Sequence, residues 1–496
     1  MEPGLKDVAV IDRVDTIGIP VGHRSRSRSR AVVVMLILSC LSSACADVSM
    51  APYRRPETVA KPGWSRVAPV SAGETIQPEW WKGFGDPELE RLIRMASGSN
   101  TDLKVLAARI RIAGAQVGEA RAGALPTADF GTAVSFDKST GRPASRQFSV
   151  AAALNWEIDV WGKVAAGVSA QNAEYRASEA DWRAGYLRTV SDVATTYFQI
   201  LQFDEQIVQQ EQTRNKNRQI LAILDSMAAN GLLPSTRVLQ QRAEINRLSN
   251  DLIELHRSRD LGQNALATLL GAGAGEFHLP AGRLQERVRL PEVPAGLPSA
   301  LLKRRPDIVA AEFRVLEAYD LVGQAKLAQL PSISLTGRGG SSSFALTDLL
   351  RAFTFNLLPS INIPLLDPAT RARVHTRAAQ SELAEAQYRQ TVMTAFAEVE
   401  DALVNLDAHQ RQRSELQQQI AHLTTVASQV EAQLREGLVS QLDVFESQRS
   451  LLTARQALLT NHQQVLSDTV TIYKALGGGW TDVLVGQAEP ADAARR

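Results

Sequence analysis

Hydrophobic positions recur along this chain with two periods, and the switches between them mark its parts. Over 148–160, Phe148, Val150, Ala152, Leu154, Trp156, Ile158 and Val160 share one face, against Ser149, Asn155, Glu157 and Asp159. Over 353–365, Phe353, Phe355, Leu357, Ile361, Ile363 and Leu365 stand against Thr354, Asn356, Ser360 and Asn362. After Pro126, Phe130, Val134 and Phe136 oppose Asp129, Ala133 and Ser135; after Pro331, Ile333 and Leu335 oppose Ser334, Thr336 and Arg338. A period of two predicts strands with one apolar face, here two hairpins at about 127–160 and 332–366. Each segment is about ten residues, the length of a tilted transmembrane strand. A half-buried soluble sheet alternates too, but two lone hairpins bury little. Four strands cannot close a barrel, so the lipid reading requires strands from several chains.

Elsewhere the period is that of a helix. No Pro occurs between Gly162 and Gly231, and neither Pro nor Gly between Pro368 and Gly437. Each stretch predicts a helix roughly 100 Å long at about 1.5 Å per residue. Tyr186, Val190, Val193 and Tyr197 step by four, three and four; Ile420, Leu423, Ala427, Val430 and Leu434 step by three, four, three and four. Such a seam is the knobs-into-holes pattern of a coiled coil or helical barrel.

The pattern occurs twice. "DLKVLAARIRIAGAQVGEARAGALP" at 102–126 matches "DIVAAEFRVLEAYDLVGQAKLAQLP" at 307–331, with Arg109 and Arg314, Val117 and Val322, and Pro126 and Pro331 each 205 apart. "GLLPSTRVL" and "GLVSQLDVF" pair at 206, Gly231 with Gly437. Two long units are therefore expected, not the short multiple repeats of a solenoid. In each, a helix ends at Leu-Pro, a hairpin follows, then a very long helix, a Gly-Leu turn and a return helix. The division expected is a leader and signal (1–45), an extended segment with a short helix (46–100), a first repeat (101–290), a second repeat (291–480) and a polar tail (481–496). The fold class is mostly α with a small β part.

Charge and cysteine usage narrow the function. Lys and Arg number 54 and Asp and Glu 53 in 496 residues, with no basic stripe, which sets nucleic acid aside as a partner. The only cysteines are Cys40 and Cys45. "RSRSRSR" at 24–30, "AVVVMLILSCL" at 31–41 and "SSAC" at 42–45 form a secretory signal whose apolar run is too short to span a bilayer. A Cys at the cleavage point resembles a bacterial lipobox, although Ser42 stands where Leu is usual. Diacylglycerol and an N-acyl chain are expected on Cys45, with Cys40 the fallback and an unlipidated secretory signal the plain alternative. No other segment reaches eighteen apolar residues, so a membrane crossing would have to be a closed β-barrel. No catalytic or metal-ligand constellation stands out, and no other cofactor is expected. "GAGAG" at 271–275 lacks the Lys-Ser/Thr of a phosphate loop and reads as a helix stop.

"WWKGFGDPELERLI" (80–93), "LPEVPAGLPSALLKRRPDI" (290–308), "LPSISLTG" (330–337), "PSINIPLLD" (359–367) and "YKALGGGW" (473–480) together resemble the TolC family of outer-membrane efflux proteins, in its lipoprotein branch. The resemblance runs from about Cys45 to about Trp480. It implies a homotrimer with a twelve-stranded barrel in outer-membrane lipid and a helical tunnel in the periplasm. A periplasmic adaptor (membrane fusion) protein and an inner-membrane RND-type pump would complete the machine. A passive conduit for drugs or other small molecules is the expected function; an exit duct for type I protein secretion is the alternative. By residue match, adaptor-contacting tips fall on Gly231, Leu232 and Leu233 and on Gly437, Leu438 and Val439. The periplasmic gate falls on Leu442, Asp443 and Glu446, where a ring of carboxylates would attract cations and bind protons more readily. A solvated acidic face, or acids favoured by the helix dipole, is the plain alternative. The first repeat has Arg237 and Gln240 at the matching places, and Arg237 could latch Asp443.

Overall fold

The computed structural model describes residues 52–57, 64, 77–291, 304–351 and 353–478; Cys40, Cys45 and the tail lie outside them. From Tyr53 onward the chain forms one compact unit, so the two repeats share a single body.

The chain first commits itself at "WWKGFGDPEL". A 3-10 turn, Trp80–Phe84, ends at Gly85, whose φ of 69° is left-handed. Asp86 then caps helix α1, Pro87–Ser99, accepting from the Glu88 amide at 2.8 Å, with Pro at the first helical position, where its missing N–H costs nothing. The other Asp86 oxygen accepts from the Tyr197 hydroxyl at 2.6 Å. Trp80 stacks on Tyr473 at 5.1 Å, and Phe84, fully buried, meets Phe198 at 5.1 Å. These aromatics join the main core, which collects Val190, Val193, Tyr197 and Leu201 with Leu266, Leu466 and Ile472.

Each repeat then follows one plan. Helix α2, Thr101–Ala122, leads to strands β1, Thr127–Asp137, and β2, Ser145–Ile158; α3, Lys163–Ala229, descends and α4, Ser235–Leu269, returns. The second repeat gives α5, Pro306–Leu327, β3, Ser332–Ser343, β4, Thr354–Asn362, α6, Pro368–Arg435, and α7, Gln441–Ala475. At 67 and 68 residues, α3 and α6 each extend about 100 Å. The expected seams form the packed side of these helices. Val190, Val193 and Tyr197 are buried; Ala427 is buried and Ile420, Leu423, Val430 and Leu434 are half-buried between exposed neighbours. No described helix is long and apolar enough to cross a membrane.

All four strands make one antiparallel sheet in chain order. The β2–β3 ladder, from Phe148 opposite Ser343 to Ile158 opposite Ile333, joins the repeats. Close pairing there needs glycine, since a Cβ on Gly340 would stand 2.5 Å from the Val150 carbonyl oxygen. Within the protomer both outer strands, β1 and β4, have one unpaired edge. Phe130, Phe136, Phe355 and Ile361 are each at least 67% exposed. In water such a sheet would aggregate; a lipid-facing strand carries this surface as a matter of course. β4 stops at Asn362, short of the alternation running to Leu365, because Pro364 has no N–H to extend a ladder.

Candidate gate and docking tips

At the end of each long helix the backbone turns in the same way. The Gly231 amide donates to Ala228 at 3.0 Å and the Leu232 amide to Met227 at 2.9 Å; Gly437 donates to Leu434 at 3.0 Å and Leu438 to Gln433 at 2.9 Å. This is the Schellman closure, which consumes the last carbonyls of a helix and needs a left-handed residue. Gly231 at φ 72° and Gly437 at φ 73° supply it. The residue after each glycine is not tucked back onto the helix. Leu232 is 70% exposed and Leu438 74%, with Leu233 and Val439 half-buried behind them. Two bare leucines at the extremity of the helical hairpins are surface apolar groups with no partner in the protomer.

Past the second tip, Ser440 caps α7 and Asp443 closes a capping box. The Asp443 carboxylate accepts from the Ser440 amide at 2.8 Å and from its hydroxyl at 2.6 Å. Those two donors hold the Asp443 pKa below the usual carboxylate range. Ser-x-x-Asp at 440–443 is the sequence signature of that box; reading Asp443 for the gate alone passes over it. Glu446, one turn on, is paired with Arg449 on its own helix. Leu442 is 63% exposed beside them. Asp443 and Glu446 thus stand exposed near one tip with Leu442, and in the protomer each carboxylate has a local partner. Arg237 is half-buried on α4 and forms no ion pair with Asp443 within the protomer. Among the described residues no cluster of His, Cys, Asp and Glu could hold a metal ion.

A sheet with two free edges and a bare apolar surface, carrying two long helical hairpins with exposed tips, defines a membrane-seated conduit protein. The comparisons place it more narrowly. The family model described as outer membrane efflux protein matches residues 92–272 and 297–478. The chain belongs to that family. It is 31% identical over 433 residues to the pyoverdine export outer membrane protein OpmQ of Pseudomonas putida, covering 84% of this chain and 92% of OpmQ. It is 28% identical over 467 residues to the probable outer membrane lipoprotein SilC of Salmonella typhimurium, covering 90% and 99%. Its fold matches a crystal structure of CusC with a TM-score of 0.78 at 27% identity, over 86% of this chain and 99% of that one. The protein is an efflux channel of the outer membrane, with its helices extending from the sheet.

Proposed function

We propose that three copies of the chain form the outer-membrane channel of a tripartite efflux system. The carrying observation is the four-stranded sheet with both edges unpaired. Lipid offers no hydrogen bonds to a bare strand edge, so β1 of one copy pairs with β4 of the next until the ring closes. Three sheets make a twelve-stranded barrel, and three pairs of hairpins continue it as a helical tunnel. The channel is passive, and an inner-membrane pump of the RND type supplies the energy. Its cargo is small molecules, as the naming of OpmQ for pyoverdine export supports. The name of SilC and the signal ahead of Cys45 support a lipid anchor on that cysteine; the intact mass of the mature protein tests it.

Leu232 and Leu438, with Gly231, Leu233, Gly437 and Val439 shaping the turns, form the docking surface for a periplasmic adaptor. Replacing either exposed leucine by Glu is expected to abolish adaptor crosslinking while leaving thermal unfolding unchanged, since neither side chain is packed in the protomer. Unchanged crosslinking would remove the tips from the interface.

Leu442, Asp443 and Glu446 form the gate, tripled around the axis. Single-channel recording of the purified trimer in planar bilayers tests the pore and the gate together. The wild type is expected to conduct weakly. Asp443→Asn with Glu446→Gln should change conductance and lower cation preference, because the carboxylate ring is lost. No conductance in either form would end the pore reading; identical conductance and selectivity would end the gate reading. Reversing charge at Arg237 and Asp443 singly and together tests a latch between neighbouring hairpins. The double variant restores the closed conductance only if the two meet in the trimer.

A further inference from the structure

The two hairpins are copies of one another, yet each is fastened across its width by a different pair. In the first, Arg259 on α4 pairs through Nε with Asp204 on α3, the side chains 15% and 4% exposed. Asp204 also accepts from the Gly282 amide at 3.0 Å, and Arg259 donates to the Leu279 carbonyl at 3.0 Å. In the second, His409 Nδ1 on α6 meets Asp468 Oδ2 on α7 at 2.6 Å, the side chains 22% and 15% exposed. Asn461 on α7 donates to the His409 backbone carbonyl at 3.0 Å, fixing the rung. By the 206-residue offset His409 answers to Phe203 and Asp468 to Gly262, so the two fasteners lie within one helical turn of the same level. The acid and the base have exchanged helices, and the base has changed from arginine to histidine.

That exchange alters what the fastener responds to. A guanidinium keeps its charge at every physiological pH. Histidine is the side chain whose ordinary pKa places its charge change between about pH 5 and 8. We propose that His409–Asp468 is a proton-operated fastener that tightens the α6–α7 hairpin as pH falls from 7.5 towards 5.5, while the Arg259–Asp204 hairpin stays indifferent. The sign follows from linkage. A histidine that gains a carboxylate partner on folding stabilises fully below its unfolded value and loses that contribution as pH rises.

The surroundings carry little competing charge. On α6, Asp407 and Arg411 pair with each other at 3.0 Å, and Arg413 bears on His462 of α7. His462 is held down to about 4, by burial first and Arg413 second, so it stays neutral through this window. Burial raises Asp468 and His409 draws it back. α3 contributes Val193, Tyr197 and Phe198 to the core that holds Leu466 and Val470, and uncharged Gln202 and Gln206 to Thr460.

The consequence for conduction rests on the channel reading above, so the test reads the hairpin itself. Backbone hydrogen exchange of the full-length protein in detergent, corrected for intrinsic rates, is compared at pH 5.5 and 7.5. Segments 405–413 and 461–470 are expected to exchange several-fold more slowly at pH 5.5 than at pH 7.5. Segments 200–204 and 257–264, which hold the Asp204–Arg259 pair and no histidine, should not change. Asp468→Asn and His409→Gln should each abolish the difference. If a variant fails to fold, the wild-type contrast between the two hairpins decides alone. Equal pH responses in both hairpins, no response in the second, or a response that survives Asp468→Asn overturns the proposal.

Discussion

Gly271→Ala is expected to destabilise the protein by about 3 kcal/mol, whereas Gly231→Ala should cost only about 1 kcal/mol, although both glycines end a helix at nearly the same backbone angle. Gly271 has φ 68° and Gly231 has φ 72°, so the left-handed penalty is shared. What differs is the space a methyl group would enter. At Gly231, as at Gly437, nothing lies within 4 Å. At Gly271 the new carbon would stand 2.3 Å from the Ser99 carbonyl oxygen and 2.8 Å from its carbon. Both are backbone atoms, so the junction between α1 and α2 must move. Gly477, the counterpart of Gly271, has φ 91° and would meet Arg304 and Arg305 backbone at 3.0 to 3.2 Å. It should fall between the two. Chemical unfolding of the purified protein, with the amount assembled in the outer membrane as a second readout, ranks the variants. Equal losses at Gly231 and Gly271 would mean that the turn angle alone sets the cost.

That contrast also marks what the sequence carries and what it does not. The four helix-ending glycines are visible in it, because the 206-residue spacing repeats and a Gly amid helix formers has one ready explanation. Strand faces are visible for a similar reason: alternation at period two survives without knowledge of partners. Which strands are outermost follows only from the sheet order, in which β1 with Phe130 and β4 with Phe355 each keep one unpaired edge. The difference between an open tip and a crowded junction is invisible, since Ser99 and Gly271 are 172 residues apart. So is the pairing of His409 with Asp468 across 59 residues, which no local motif announces. Asp443 is the instructive middle case. Its position invited a gate reading, while the nearby Ser440 gave a local hydrogen-bonding role by spacing alone.

Arg305→Ala is the second large effect expected, about 3 kcal/mol, because it strips a buried guanidinium from several partners at once. Arg305 is 8% exposed and stands at the N-cap of α5, ahead of Pro306. It pairs with Asp307 at 2.9 Å and with Glu398, and it donates to the Ala395 and Ala475 carbonyls at 3.4 Å. Burial opposes its charge, but Asp307 and Glu398 outweigh that and raise its pKa. The two acids keep access to water, at 38% and 47% exposure, so stranding them costs less than full burial would. The unsatisfied carbonyl near the end of α7 adds to the loss. The first repeat shows what a smaller residue can do at this junction. Asn100, 205 positions earlier, caps α2 and donates through its amide to Leu269 at 2.8 Å; Leu269 lies 206 before Ala475. One junction is therefore built twice, with Asn100 and the Ser99 hydroxyl, which donates to the Leu270 carbonyl, in one repeat and an arginine with two acids in the other. Arg305→Asn should supply a side-chain cap that the arginine lacks and keep a carbonyl contact but neither ion pair, leaving it between wild type and Arg305→Ala. Arg305→Lys should resemble Arg305→Ala more closely, because a point charge cannot span two acids and two carbonyls as a planar fork does. Chemical unfolding of the four proteins gives the order, and an Arg305→Asn variant no better than Arg305→Ala would show that the ion pairs, not the carbonyl contact, hold this junction.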